Sequence, residues 1–212
     1  MSGYTLYDYH RSSAAYRVRI ALNLKAVEWQ GVPVSLLKGE QRSPEHLARS
    51  RQGLIPALDI GGGTMLTQSL AILDWLDATH PEPRLFPADP LERARAMALA
   101  LVIVADIHPI DNLRVLERLE AQFGADVAAK ADWYRHWIAE GLGALEAAAP
   151  EHGFFGGETP GVVDCCLVPQ LYNARRFELD LSPWPKLVAI DARAAGLPAV
   201  AAAHPDAVAP VA

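Results

Sequence analysis

The first eighty residues change their hydrophobic periodicity every few positions. Residues 4–9 alternate apolar and polar side chains, which predicts a strand. After Ser12-Ser13, apolar residues recur at helical spacing as far as Lys25, which predicts a helix that begins at serine. Residues 27–36 suit a second strand. This alternation of periods is typical of an α/β chain.

Two further helices and a hairpin complete this part of the chain. Ser43-Pro44-Glu45 predicts a short helix with serine as its N-cap and proline in its first turn. Residues 56–67 predict a hairpin around Gly61-Gly62-Gly63. Ser69 then caps a helix with an apolar face. The predicted order is β-α-β-α-β-β-α over about 80 residues.

Strand signals nearly vanish beyond the proline-rich connection at residues 81–90. We therefore predict two domains, residues 1–82 and residues 90–212. Helical periodicity in the second domain marks five stretches, at residues 97–104, 113–123, 133–145, 162–177 and 183–195. Pro169 lies inside the fourth stretch and should kink that helix or remove one of its hydrogen bonds. The alanine-rich end, from about residue 200 to 212, is expected to fray.

Composition narrows the class of protein. The 212 residues are 51% hydrophobic and 21% charged, which excludes a disordered chain and allows one large domain or two small ones. The net charge of -6 argues against a broad surface for nucleic acid or an anionic membrane. The longest apolar run, residues 96–105, is far below the roughly 20 residues that cross a bilayer.

The cysteines and the N-terminus indicate a cytoplasmic protein. Cys165 and Cys166 are adjacent, so they form no spaced disulfide framework. Neither stands at metal-ligand spacing from any of the seven histidines, and we predict no metal site. The first residues lack a basic segment followed by an apolar one, so no export signal is expected.

Ser12 and Ser13 are the first candidates for chemistry. A helix N-terminus carries unpaired N–H groups and a partial positive charge, and it stabilises a thiolate or carboxylate placed against it. The two hydroxyls and Arg11 would add to that site. The alternative is that one serine is an ordinary N-cap. No G-x-S-x-G elbow surrounds either serine, which argues against a serine protease.

Two loops offer main-chain groups to a ligand. A cis bond between Ile55 and Pro56 would turn an extended backbone edge outward, where a peptide can pair with it. Gln68 precedes Ser69, which begins a helix whose N–H groups can receive a carboxylate. Each feature also has an ordinary explanation, a trans proline in a loop or a capping serine.

Charged residues interrupt the apolar helix near residue 107. His108 lies between Asp106 and Pro109, where its ring can donate to a ligand or relay a proton, or can be an ordinary surface histidine. Arg176 ends a helix, where a cation favours the dipole. Alternatively Arg11, Arg114 and Arg176 converge on a dianionic substrate, although spacing alone does not show convergence.

Several stretches of the chain together match the pattern of a known family, namely residues 11–13, 16–22, 55–58, 68–72, 106–110, 168–170 and 173–177. They resemble the zeta class of glutathione transferases, in particular the glutathione-dependent isomerases of maleylacetoacetate and maleylpyruvate. The resemblance covers nearly the whole chain.

The resemblance implies a thioredoxin-like α/β N-terminal domain, an all-α C-terminal domain and a homodimer. It implies that glutathione is the cofactor and that the bond before Pro56 is cis. Ile55 would pair through its backbone with the cysteinyl part of glutathione, and Gln68 and Ser69 would hold its γ-glutamyl end. The other cofactor contacts that it implies are Ser12, Ser13, Gln52, His108, Asp111 and, reaching a neighbouring subunit's ligand, Asp106.

Two positions depart from the family pattern. Ala14 stands where the family commonly has cysteine, so the attacking sulfur must be the cofactor's own thiol. Gly161 stands where a capping serine or threonine is usual, with Asp164 as the acidic member of that motif. Because glycine is an acceptable N-cap, we expect only a small effect on stability.

The expected mechanism begins with a thiolate. The helix start and Ser12 would lower the thiol pKa from about 8.5. The thiolate adds to the cis double bond of a small dicarboxylic keto acid, the bond rotates, and elimination leaves the trans isomer. Arg11, Arg114 and Arg176 would anchor the carboxylates and stabilise the developing negative charge.

Several alternatives stay open. One is a related transferase that acts on small α-halo acids and consumes glutathione. Another is a non-catalytic glutathione-binding dimer, which the alanine at position 14 makes plausible. Between the two isomerase substrates, the sequence modestly favours maleylpyruvate, the smaller diacid.

Overall fold

The computed structural model describes residues 3–209. These residues form two compact units. The first unit consists of residues 3–85 and 195–209, and the second of residues 86–194. None of the helices within the described range is both long and apolar enough to cross a membrane.

A four-stranded mixed sheet organises the first unit. Its order is β2-β1-β3-β4, with β1 parallel to β2 and antiparallel to β3, and with β3 and β4 joined as a hairpin. Leu6 at the centre of β1 faces Gly31 on one side and Leu58 on the other. The strands are β1 (Tyr4–Asp8), β2 (Trp29–Pro33), β3 (Ala57–Asp59) and β4 (Met65–Thr67).

Helices cover this sheet and form the core of the first unit with it. Leu22 of α1 and Leu76 of α3 are fully buried, as are Leu6 and Leu58 of the sheet. The predicted order β-α-β-α-β-β-α is therefore confirmed. The helices that follow the strands are α1 (Ser13–Leu24), a 3-10 turn (Glu40–Arg42), α2 (Pro44–Arg49) and α3 (Ser69–Thr79).

The second unit is helical. Its α7 continues through Pro169 without ending, and Cys165 and Cys166 on this helix have no exposed surface. A π-helical turn, Val102–Ile107, directly follows the first helix of the unit. The helices are α4 (Pro90–Leu101), α5 (Leu113–Phe123), α6 (Val127–Ala148), α7 (Val162–Arg176) and α8 (Pro185–Ala195), which ends where the first unit resumes.

The expectation of fraying from residue 200 is wrong for the first part of that segment. Pro198–Ala203 forms a helix, α9, which packs against α1 in the first unit. Val200 is buried, and the Arg19 guanidinium donates to the Ala203 carbonyl at 2.9 Å. Small side chains allow the close packing, and the α1 arginine satisfies a carbonyl at the end of the helix. Residues 210–212 lie outside the described residues.

Candidate functional site

Ser12 is the N-cap of α1. Its Oγ accepts a hydrogen bond from the Ala15 N–H at 3.3 Å, and its own N–H donates to the Tyr9 carbonyl at 2.8 Å. Arg11 is exposed and Ser13 is buried. The capping role is thus realised. Because the Ser12 oxygen is used as an acceptor, its hydroxyl proton stays available to an anion at the helix start.

Arg17 connects the starts of two helices. Its guanidinium is buried, at 1% exposure, and donates from Nη1 to the Ser69 Oγ at 3.2 Å. Ser69 is the first residue of α3, and α3 packs against α1. A buried cation therefore reaches from one turn beyond Ser12 to the N-terminus of α3, and it adds to the positive potential of both helix starts.

Gln68 and Gln52 are brought together. The Gln68 Nε2 donates to the Gln52 Oε1 at 2.7 Å. Gln68 has a φ of 68°, in the left-handed region that costs free energy for a residue other than glycine. Such backbone strain is concentrated at binding sites, where the surrounding structure enforces it. The geometry fits a residue that presents its main chain to a ligand.

The peptide bond between Ile55 and Pro56 is cis, as predicted. Pro56 is buried and Ile55 is half-buried. Within residues 3–209, neither the N–H nor the C=O of Ile55 has a hydrogen-bond partner. One donor and one acceptor on the same residue match the main chain of an extended peptide, which fits the glutathione backbone that the resemblance implies.

His46 was missed by the sequence analysis. Its Nε2 lies 3.0 Å from the Leu54 carbonyl oxygen, one residue before Ile55. A single histidine in a six-residue helix gives no sequence signal for such a contact, because the contact depends on how α2 packs on the loop.

The π-helical turn of the second unit leads directly to His108. The His108 N–H donates to the Ile103 carbonyl at 2.9 Å, a bond across five residues. Asp106 is exposed, whereas Ile107 is buried against α6 at Gly141. Single π turns inside helices often occur at functional sites, and this one ends at the predicted histidine.

Asp111 is buried without a partner. Its exposure is 5%, and among the described residues neither carboxylate oxygen has a hydrogen-bond donor. Burial raises its pKa to about 8. Asn112, the next residue, caps α5 by accepting from the Arg114 N–H at 3.2 Å. A carboxyl group in this state can donate its proton to an acceptor on a ligand.

The three arginines lie in different units. Arg11 belongs to the first unit, and Arg114 and Arg176 belong to the second. All three are exposed. Arg176 donates to the Asn173 Oδ1 at 3.4 Å, and its guanidinium lies 5.9 Å from the centre of the Tyr172 ring. Their convergence on one substrate stays a prediction.

Comparisons with known proteins agree with this architecture. The chain matches two family models, "Glutathione S-transferase, N-terminal domain" over residues 6–84 and "Glutathione S-transferase, C-terminal domain" over residues 128–204. Maleylacetoacetate isomerase of Rhizobium meliloti (strain 1021) is 52% identical over 204 residues, which are 95% of each chain.

Two solved structures extend the comparison. A holo structure of a maleylpyruvate isomerase, a bacterial zeta-class glutathione S-transferase, has 44% identity and a TM-score of 0.94, covering 98% of this chain and 100% of that one. Maleylacetoacetate isomerase of Anaeromyxobacter dehalogenans 2CP-1, solved with glutathione in its active site, has 42% identity and a TM-score of 0.87, covering 98% and 97%.

The chain belongs to the glutathione S-transferase family. The predicted fold class, a thioredoxin-like α/β domain with an all-helical domain, is confirmed. Within the family, the chain is similar over almost its full length to the zeta-class isomerases of maleylacetoacetate and maleylpyruvate.

Proposed function

We propose that this chain is a glutathione-dependent cis–trans isomerase of a maleyl keto acid. The observation that carries the proposal is the unpaired main chain of Ile55, in the same unit as the α1 start at Ser12 and the α3 start at Ser69. The full-length similarity to isomerases of this kind supports the choice of reaction.

The residues of the first unit fit the cofactor. Ile55 offers a donor and an acceptor to the cysteinyl part of glutathione, and the N-terminus of α3 at Ser69 receives the carboxylate of its γ-glutamyl end. Gln68 and Gln52 flank that end as a bonded pair. When bound, glutathione supplies the thiolate that adds to the substrate's cis double bond and leaves after rotation.

Ser12 and the start of α1 keep the attacking group ionised. The Ser12 hydroxyl donates toward the sulfur, and the N–H groups of the first turn, which include that of Ser13, lower the thiol pKa electrostatically. Ala14 offers no side-chain nucleophile or acid at this place. The reaction leaves glutathione unchanged, which distinguishes it from the consumption of glutathione by an α-halo acid.

We assign substrate binding to cationic and hydrogen-bonding side chains. Arg11, Arg114 and Arg176 hold its carboxylates and the negative charge that develops on its keto oxygen. His108 and Asp111 donate to acceptors on the bound ligands. A dicarboxylate needs more than one cation, and each of these guanidiniums is exposed and accessible to it.

We further propose that the active protein is a homodimer. Asp106 is exposed at the end of the π turn, where it can reach a ligand in a neighbouring subunit. Leu91 and Leu101 of α4 are 58% and 39% exposed, and a subunit contact would cover them. Light scattering coupled to size-exclusion chromatography tests this assembly.

The decisive experiment assays maleylpyruvate and maleylacetoacetate by absorbance, with and without glutathione. We expect turnover of at least one substrate only when glutathione is present, with the glutathione recovered in full. Turnover in its absence would contradict the cofactor assignment. Stoichiometric consumption of glutathione would favour the halo-acid type of reaction, and binding without turnover would favour the non-catalytic dimer.

Ser12→Ala tests the thiolate assignment. As a lost N-cap it should cost about 1 kcal/mol of stability, and as a lost donor it should lower kcat by about 10- to 100-fold. It should also raise the pKa of the thiol of bound glutathione, which is measured from thiolate absorbance as a function of pH.

Asp89→Ala is the matched control for this variant. Asp89 caps α4 by accepting from the Leu91 and Glu92 N–H groups at 3.0 Å, so its loss should cost similar stability and leave kcat unchanged. Equal kcat values for the two variants and the wild type would remove Ser12 from the mechanism.

A further inference from the structure

The buried side chain of His46 makes one hydrogen bond. The residue lies on α2 with 2% exposure, and its Nε2 is 3.0 Å from the Leu54 carbonyl oxygen. Because a carbonyl oxygen only accepts, Nε2 must carry the proton, which fixes the tautomer of the ring. Nδ1 is then a bare acceptor, and among the described residues nothing donates to it.

The two residues before Ile55 are held by hydrogen bonds to Ser50. The Leu54 N–H donates to the Ser50 Oγ at 3.4 Å, and the Gly53 N–H donates to the Ser50 carbonyl at 2.8 Å. Gly53 has a φ of 63°, and a Cβ there would lie 3.1 Å from the Gln41 carbonyl oxygen. The Leu54 carbonyl belongs to the peptide group that also contains the Ile55 N–H.

This shared peptide group makes the His46 bond consequential. The peptide group is planar, so fixing the direction of the Leu54 C=O also fixes the direction of the Ile55 N–H. His46 therefore constrains the orientation of a donor that has no partner within residues 3–209.

We propose that His46 is a positioning residue for glutathione binding, which orients the Ile55 N–H toward the cysteinyl part of glutathione without touching it. This inference rests on the proposed function. It assigns the cofactor affinity partly to a side chain of α2, and it predicts that loss of the bond weakens binding while the chemical step is unaffected.

A packing role alone does not explain a histidine here. Burying a ring nitrogen without a partner costs free energy, and a phenyl ring would fill a similar space without that cost. What the imidazole adds is the donor to Leu54.

The test compares His46→Phe with His46→Gln. Phenylalanine keeps an aromatic ring and removes the donor, whereas the glutamine amide nitrogen can take the place of Nε2. Calorimetry gives the Kd for glutathione, and steady-state kinetics give KM for glutathione and kcat. We expect Kd and KM to rise about 10-fold in His46→Phe, with kcat at saturating glutathione unchanged, and both constants to stay within about threefold of wild type in His46→Gln.

Each other outcome has a definite meaning. A wild-type Kd in His46→Phe overturns the inference, as does a fall in kcat without a change in KM. Equal weakening in both variants also overturns it, because a packing role would give that result. If the wild-type protein does not bind glutathione, the proposed function itself fails. If His46→Phe does not fold, His46→Leu removes the same donor in its place, and an unchanged Kd in that variant overturns the inference.

Discussion

In the first unit the most deeply buried carboxylates face buried cations. Asp8 lies 2.5 Å from the Arg19 guanidinium, and Asp77 lies 2.9 Å from the Lys25 ammonium. Both cationic side chains are fully buried. Burial raises the pKa of Asp8, and the Arg19 charge opposes that rise. Each pair compensates for hydration that both of its members lose on folding.

In the second unit Asp164 and Asp111 have no such cation among residues 3–209. Asp164 is 1% exposed and accepts from three backbone N–H groups, those of Gly161, Phe155 and Gly156, at 2.8–3.0 Å. Burial raises its pKa to about 6, against the effect of these bonds. For Asp111 burial is the cause of the shift, and among the described residues no donor opposes it.

The contrast separates structural carboxylates from a candidate functional one. Asp8, Asp77 and Asp164 each satisfy groups that folding buries, so the fold alone accounts for them. Asp111 satisfies none among the described residues, and its burial costs free energy. This difference supports the proposal that Asp111 serves a ligand.

The largest expected effect is on the first unit. Arg19→Met leaves Asp8 without its cation and removes donors to the His10 and Ala203 carbonyls, each at 2.9 Å. We expect a loss of about 3–5 kcal/mol in the free energy of unfolding, measured by urea denaturation. Arg95→Met removes an exposed pair with Glu92 and should cost less than about 0.5 kcal/mol. Similar losses in both variants would contradict the contrast.

Asp164→Ala should have the next largest effect, in the second unit. It leaves three backbone N–H groups without their acceptor, which should cost about 2–4 kcal/mol. Asp180→Ala is the control, because Asp180 also accepts from a backbone N–H, that of Ser182 at 2.9 Å, but is exposed. We expect less than about 1 kcal/mol there, and equal denaturation midpoints would show that burial does not strengthen these bonds.

Local chemistry made much of the first unit predictable. Each strand and helix has its own period, and several boundaries carry a serine, proline or glycine, as at Ser43, Pro44 and Gly61. The cis bond before Pro56 was expected from the resemblance and is confirmed. The contacts between Gln52 and Gln68 and between Arg17 and Ser69 join residues far apart in sequence, so periodicity gives no signal for them.

The features that the sequence did not predict depend on tertiary packing. Helix α9 is stabilised by Arg19 of α1, some 180 residues away in sequence. The π turn before His108 reads as ordinary helix in the sequence, and its distinguishing contact is with Gly141 on another helix. Whether Arg11, Arg114 and Arg176 meet depends on the arrangement of two units, which no local pattern encodes.

Asp111→Asn tests, through the pH dependence of stability, whether Asp111 is buried as a neutral acid. The folded protein keeps the Asp111 proton to about pH 8, whereas an unfolded chain releases it near pH 3.8. The folded state therefore binds more protons in this window, and stability falls as pH rises, by up to about 1.4 kcal/mol per unit. The variant should lack this slope, gaining about 2.6 kcal/mol relative to wild type between pH 5 and pH 7. Parallel stability curves would mean that Asp111 is not buried as a neutral acid.

The smallest expected effects come from two glycines of α6, which show how the second unit positions its candidate segment. A Cβ on Gly141 would lie 2.3 Å from the Ile107 Cδ1, in the π turn, whereas a Cβ on Gly143 would meet nothing within 4 Å. Alanine favours a helix over glycine by about 1 kcal/mol, so Gly143→Ala should stabilise the protein by about that amount. In Gly141→Ala the same gain is offset by an overpacking cost of about 1–3 kcal/mol, because Ile107 is buried.

The kinetic consequences of the two changes should differ as well. Displacement of Ile107 shifts the backbone next to His108. Gly141→Ala should therefore raise the KM for the keto-acid substrate by about threefold, whereas Gly143→Ala should leave this KM unchanged. Denaturation midpoints and steady-state kinetics of the matched pair measure both effects. If both variants are stabilised and kinetically normal, the close approach of α6 does not set the π turn, and the position of His108 must depend on the turn's own hydrogen bonds.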